Sequence, residues 1–351
     1  MARRRRRSPL WARVCLVAGI VLAVASGGTY AGTVALANHV NNSVSQGDLL
    51  GDGGGSKHGS TVTGPLDILL AGSDLRKDWK NTGEKPRTDT IMWLHIPATL
   101  DQAYLLSIPR DLEVDIPLNQ KTGQGGYATK INAAFTFGMK DINDVTGGMQ
   151  NLHATVKQLT GENFSMAAMV NWDGFKAITA ELGGVTLCVD QTFTSTQPSL
   201  GGHTFQKGCR HYDADMALAL VRERYAYGDS DYSRQRMQQQ FIKQILKQAT
   251  SSGTLKDPAK MDRVLKAAGK ALTMDLNGYT VVDLALALRK ITSDKLTTLQ
   301  IAHQSAGDGN EALVQPVDDQ LFKAMRDDDM DNFLLAHPEL VSKGTGLGGG
   351  Q

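Results

Sequence analysis

Three regimes of apolar patterning divide the chain. The first is an unbroken window from Val14 to Ala37, 24 residues without a charge. As a helix it would rise about 36 Å, enough to cross a hydrocarbon core of about 30 Å. From Asn38 to about Thr63 the periodicity vanishes and Gly, Ser, Asn and Asp dominate, the composition of a flexible stalk. From about residue 64 to 330, short apolar runs alternate with helically spaced ones, which predicts a single domain. Residues 331–351 read as a C-terminal tail, Gly-rich at its end.

Within the domain, Leu66 to Leu70, Thr90 to Ile96 and Ala103 to Ile108 have the apolar content and polar borders of neighbouring core strands. Ala168 to Asn171 and Val185 to Val189 read as strands around a helix at Asp173 to Leu182, with Gly183-Gly184 as its stop signal. Asp213 to Leu220 and Arg234 to Ala249 read as helices. In the second, Met237, Phe241, Ile245 and Leu246 recur at helical spacing and form an inner face. Helices near Ala259 to Leu272 and Val281 to Ile291 precede a strand at Thr297 to Ala302. The predicted fold is α/β, a three-layer α-β-α domain around a central mixed sheet, preceded by one transmembrane helix.

Charge gives the window a direction. Arg3 to Arg7 precede it directly, so residues 1–13 should form a basic cytoplasmic tail, with everything beyond the window exported. The expected location is therefore the cell membrane, single-pass, with the N-terminus inside. A cleaved signal peptide is the competing reading, because Ala35-Leu36-Ala37 resembles a cleavage site, but so long an apolar stretch favours an anchor. Without the six arginines up to Arg13, 31 basic residues face 36 acidic ones, a balance that argues against a nucleic-acid partner. Of the three cysteines, Cys15 lies in the apolar window. In an oxidising space Cys188 and Cys209, which frame a 20-residue loop, suit a disulfide, with two buried thiols as the alternative.

Candidate chemistry gathers at strand ends. The first strand runs into Gly72-Ser73-Asp74-Leu75-Arg76, the next is entered through Arg87-Thr88-Asp89, and the third exits into Pro109-Arg110-Asp111. Ligands of α/β sheets sit beyond strand ends. Separated carboxylates such as Asp74 and Asp89 suit a hard cation that shares phosphate oxygens, and arginines match phosphate geometry. A second cluster holds Arg222, Glu223 and Arg224, then Asp231, Arg234 and Gln238. The last three are spaced three and four apart and share one face of a helix. A solvated, ion-paired helix start is the bland alternative for any one of these residues. Without a His, Cys or Ser constellation of hydrolase type, the set as a whole points to anion handling.

These motifs, with Thr129-Lys130-Ile131-Asn132-Ala133-Ala134, Asp173-Gly174-Phe175, Leu182-Gly183-Gly184-Val185 and the run from Val221 to Gln240, resemble the LytR-CpsA-Psr family from about Leu66 to about Met325. The resemblance implies a phosphotransferase. Its substrate would be a polyprenyl-pyrophosphate-linked glycopolymer, its cofactor Mg²⁺, and its acceptor a sugar hydroxyl of peptidoglycan at the cell membrane. By the same resemblance Asp74 and Asp89 are the metal-side carboxylates, and Arg87, Arg110, Arg222 and Arg224 clamp the pyrophosphate. Arg76, Lys130, Asp231, Arg234 and Gln238 belong to the same pocket, and Cys188–Cys209 matches a disulfide of actinobacterial members. Thr88 departs from the serine many members carry. Asp111 and Asp231 both qualify as proton acceptor, and the sequence does not choose between them. A prenyl-pyrophosphate hydrolase and a non-catalytic envelope sensor remain the rival classes. The short basic tail leaves no room for an internal effector domain and so disfavours the sensor.

Overall fold

The structure, a computed structural model, describes residues 45–51, 54, 61–74, 85–197, 200–224, 231–251, 258–269 and 271–342. The apolar window, the basic tail and Arg76 lie outside them. No helix among the described residues is long and apolar enough to cross a membrane.

In chain order the strands are β1 (Ser45–Gln46), β2 (Leu66–Ser73), β3 (Thr88–Ile96), β4 (Ala103–Ile108), β5 (Glu113–Ile116), β6 (Tyr127–Lys130), β7 (Met166–Asn171), β8 (Val185–Val189), β9 (Phe193–Thr194), β10 (Thr204–Phe205), β11 (Gly208–Tyr212), β12 (Leu272–Asp275), β13 (Leu296–Gln300), β14 (His303–Gly307) and β15 (Asn310–Leu313). The helices are α1 (Ala133–Gly138), α2 (Val145–Thr160), α3 (Trp172–Glu181), α4 (Ala214–Arg222), α5 (Asp231–Ser251), α6 (Pro258–Ala268), α7 (Val281–Ala287), α8 (Val317–Arg326) and α9 (Met330–Ala336).

Among the described residues, seven strands form one mixed sheet in the order β1-β12-β7-β2-β3-β4-β13. β2 pairs antiparallel with β3 and parallel with β7, and β13 lies parallel to β4. Alternation along β2 sends Leu69 and Ala71 to a core completed by Phe135, Leu152, Phe164, Phe322 and Met325, and sends Leu66, Ile68 and Leu70 to a second core with Leu284, Ile291, Ile242 and Leu246. Helices therefore cover both faces, as the sequence predicts. A third core joins the antiparallel β8–β11 pair to α4 and α5 through Val185, Leu187, Phe205, Leu220 and Met237.

Local signals set the helix starts. Asn171 caps α3 by accepting from the Gly174 amide, and Asp213 caps α4 by accepting from the Met216 amide. Gly174 is required for a different reason: a Cβ there would stand 2.7 Å from the Ala271 Cβ, so only glycine lets α3 approach β12.

Several boundaries differ from the sequence reading. The helix expected to reach Leu272 ends at Ala268, and Leu272 instead opens β12, antiparallel to β7. Residues 45–50, assigned to the stalk, pack into the domain. β1 pairs parallel with β12, Leu49 and Leu50 are buried, and their amides donate to Asp275 Oδ2 at 2.9 and 3.3 Å. So short a strand has no periodicity to detect. Its stability comes from the open edge of β12. The tail likewise begins as structure, because α9 and the turn Pro338–Leu340 bury Met330 and Leu340.

Candidate functional site

Sheet topology places the chemistry. The C-terminal ends of β2, β4, β7 and β13 and the N-terminal end of antiparallel β3 all lie at one end of the sheet. Asp74, Asp89, Arg110 and Asp111 are therefore neighbours although three separate segments supply them. The start of α5 adds Asp231 and Arg234, and the end of α4 adds Arg222 and Arg224.

The side chains interlock. Arg110 Nη1 donates to Asp89 Oδ1 at 2.6 Å, and its Nε stands 3.3 Å from Asp111 Oδ2 and 3.4 Å from Asp231 Oδ1. Arg234, only 3% exposed, reaches Asp231 Oδ1 at 2.6 Å and donates from Nη2 to the Asp89 carbonyl at 2.9 Å. Arg224 approaches Asp111 and Asp231 at 3.7 and 3.8 Å, and Lys130 Nζ donates to Asp111 Oδ1 at 3.1 Å. Burial pushes the Asp89 carboxyl up, but Arg234 and Arg110 outweigh it and hold the group below the usual carboxylate range. Burial would lower the Arg110 pKa, yet Asp89, Asp111 and Asp231 raise it. For the almost enclosed Arg234, burial wins and the shift is downward. At the neighbouring cavity Arg222, Arg224 and Arg234 outnumber the lining carboxylates Asp74 and Asp89, so its charged lining is net positive. The buried Nε of Arg234 has no hydrogen-bond acceptor among the described residues. Both properties favour an anionic ligand.

Next to the cluster opens a cavity of about 460 Å³ between the sheet and α3, α4 and α5. Asp74, Asp89, Arg222, Arg224, Arg234 and Gln238 line its polar part, while Leu70, Val170, Phe175, Phe241, Ile242 and Ile245 line the remainder. Along α5, Arg234 and Ile245 are 11 positions apart in sequence, about 16 Å of helix. Polar and apolar walls therefore lie at different depths. Phe175 and Phe241 stack inside at 4.0 Å between ring centroids. The Arg222 guanidinium lies 3.6 Å over the Trp172 ring, which fixes its plane at the cavity wall.

The family model for LytR_cpsA_psr matches residues 32–329. The chain belongs to the LytR_cpsA_psr family. It is 29% identical over 299 residues to the cell wall biosynthesis protein LcpA of Corynebacterium glutamicum, covering 77% of this chain and 57% of that protein. To the polyisoprenyl-teichoic acid--peptidoglycan teichoic acid transferase TagU of Bacillus cereus it is 32% identical, over 54% of this chain and 55% of the relative. The chain thus matches little more than half the length of these relatives. The same fold recurs in protein gbs0355 of Streptococcus agalactiae (TM-score 0.61, 20% identity, 77% of this chain and 88% of that one). It recurs also in TagT bound to LIIa-WTA (TM-score 0.54, 24% identity, 75% and 90%).

Among the residues singled out by sequence, Asp74, Asp89, Arg222, Arg224, Arg234 and Gln238 meet at the cavity of this family member. Arg110 and Asp231 stand behind that lining and hold it. Lys130 sits one step farther out, on Asp111 and the Gly309 carbonyl. Arg87 does not join them: its side chain is exposed, and its contribution is an amide donating to Asp74 Oδ1 at 2.9 Å. Cys188 and Cys209 are disulfide-bonded across the β8–β11 pair. Sequence reasoning missed Trp172, and it placed Glu223 in the second cluster without giving it a role. The Glu223 carboxylate is buried and accepts from Ser195 Oγ, the Thr196 amide and hydroxyl, and the Arg224 amide. A lone acid between two arginines was the available signal.

Proposed function

We propose that this protein transfers a glycopolymer phosphate from a polyprenyl-pyrophosphate carrier to a sugar hydroxyl of peptidoglycan. The observation that carries the reading is the two-part cavity, apolar along most of its depth and ringed by Arg222, Arg224 and Arg234 at its polar part. A ligand that fits has a long hydrocarbon tail and a multiply charged head. The names of the relatives agree with it, as does an apolar N-terminal window that would keep the domain beside a lipid substrate, on the outer side of the membrane.

Phosphoryl transfer rests on positioning and charge neutralisation. Arg222 and Arg224 flank the pyrophosphate, Arg234 and Arg110 keep Asp89 ionised, and the apolar walls align the prenyl chain. The acceptor oxygen attacks the phosphorus that bears the polymer, a new P–O bond forms, and the bond to the bridging oxygen breaks, releasing prenyl phosphate. The hydroxyl proton passes to Asp111, because Asp231 is more deeply buried and engaged at 2.6 Å by Arg234. The donor set suits Mg²⁺: Asp74 and Asp89 are two carboxylates on one cavity wall, the number this ion accepts when phosphate oxygens and water complete its shell. Bound there, the ion would neutralise charge building on the leaving phosphate.

The test is Arg224→Ala in the purified full chain, given a labelled lipid-pyrophosphate oligosaccharide and peptidoglycan oligomers. Transfer should fall at least a hundredfold with an unchanged melting temperature. Wild-type turnover in this variant would remove the clamp assignment.

A further inference from the structure

At the same end of the sheet, but outside the cavity lining, the β14–β15 hairpin presents a flat aromatic surface. The His303 ring stacks on Tyr232 at 3.5 Å between centroids and 17° between planes. Tyr232 is buried beneath it, whereas the His303 side chain remains 46% exposed. Glu311 fastens the pair, accepting a hydrogen bond from the Tyr232 hydroxyl and lying 3.7 Å from His303 Nδ1. Burial and Glu311 both push the Tyr232 phenol far above its ordinary pKa, so it remains a donor.

The hairpin is tied to the reacting end of the site. The Glu311 amide donates to the Asp111 carbonyl at 3.0 Å, Lys130 Nζ donates to the Gly309 carbonyl at 2.7 Å and also holds Asp111, and Tyr232 directly follows Asp231. The platform therefore adjoins Asp111, on a surface the lipid-shaped cavity leaves unused. We infer that His303, backed by Tyr232 and flanked by Glu311, is the acceptor subsite: a pyranose ring of the receiving glycan stacks its C–H face on the imidazole and presents a hydroxyl toward Asp111. The inference rests on the transferase reading and names the element that recognises its second substrate. A flat ring beside carboxylates suits a neutral sugar, which offers both an apolar face and hydroxyl donors.

The experiment compares full-length wild type, His303→Ala and His303→Phe in detergent micelles, with a soluble peptidoglycan tetrasaccharide as acceptor and the lipid-pyrophosphate oligosaccharide as donor. Loss of stacking should raise the acceptor KM of His303→Ala roughly three- to tenfold, while the donor KM stays within about twofold. His303→Phe, which keeps a flat ring, should recover most of the loss. Parallel increases in both KM values, or an unchanged acceptor KM in His303→Ala, would overturn the subsite while leaving the transferase reading intact. Absence of transfer in wild type would overturn both.

Discussion

Arg234→Ala probes the interlocked cluster most sharply. The guanidinium is 3% exposed, lies 2.6 Å from Asp231 Oδ1 and donates at 2.9 Å to the Asp89 carbonyl. Its removal leaves the buried Asp231 carboxylate without its nearest partner and the Asp89 carbonyl without its donor. Deleting one member of a buried pair costs about 3–5 kcal/mol. Arg110 and Arg224 stand 3.4 and 3.8 Å from Asp231 and take up part of the lost interaction, which points to the lower end of that range. The expected loss is about 3 kcal/mol, read from denaturant unfolding followed by tryptophan fluorescence. Asp231→Asn supplies the second edge of a double-mutant cycle, and the double variant should cost about 2 kcal/mol less than the sum of the singles. A loss below about 1 kcal/mol for Arg234→Ala, or strict additivity, would refute the view that the cluster is one coupled unit.

Three further outcomes follow from single contacts. Trp172→Ala frees the Arg222 plane and should weaken donor binding roughly three- to tenfold in KM, the worth of a cation–π contact of about 1 kcal/mol. Reducing Cys188–Cys209 should lower unfolding stability by about 3 kcal/mol, seen as a lower denaturation midpoint in dithiothreitol. His95 is buried with Nδ1 2.8 Å from Asp67 Oδ1 and Nε2 3.1 Å from Asp328 Oδ1. Burial lowers its pKa, but the hydrogen bonds and charges of Asp67 and Asp328 prevail and raise it. Its stabilisation is thus complete below about pH 6.5, the unfolded value, and is lost as pH rises through the raised folded value. The melting temperature should fall across that window, and His95→Gln should flatten the fall.

Much of the sheet was legible because β2, β3 and β4 are buried on both faces and read as continuous apolar runs. Helix α2 was missed despite its Asp144 cap and its left-handed Gly161, because the apolar stripe of Met149, Leu152 and Val156 on its buried face is interleaved with Gly148, Asn151, His153 and Thr155. Asn151 is buried there because it donates to the Ala134 carbonyl at 2.7 Å, a tertiary contact with no local signature. The polar site was visible as arginines and acids at strand ends, since charge in such places conflicts with simple packing. The cavity walls were not: Leu70, Val170 and Ile242 have the residue types of ordinary core, and only the spacing between α5 and the sheet leaves them facing a void. The aromatic pair Tyr232–His303 joins residues 71 positions apart in sequence and exists only once β13 delivers the hairpin to the start of α5.

Product identity decides whether the polymer phosphate is transferred or hydrolysed. The full-length chain, incubated with a labelled lipid-pyrophosphate oligosaccharide, magnesium and peptidoglycan oligomers, is followed by mass spectrometry of the products. The expected product is label joined to the glycan through a phosphodiester, lost in EDTA and in Asp89→Ala. Free phosphorylated oligosaccharide as the sole product would contradict it and make the protein a hydrolase.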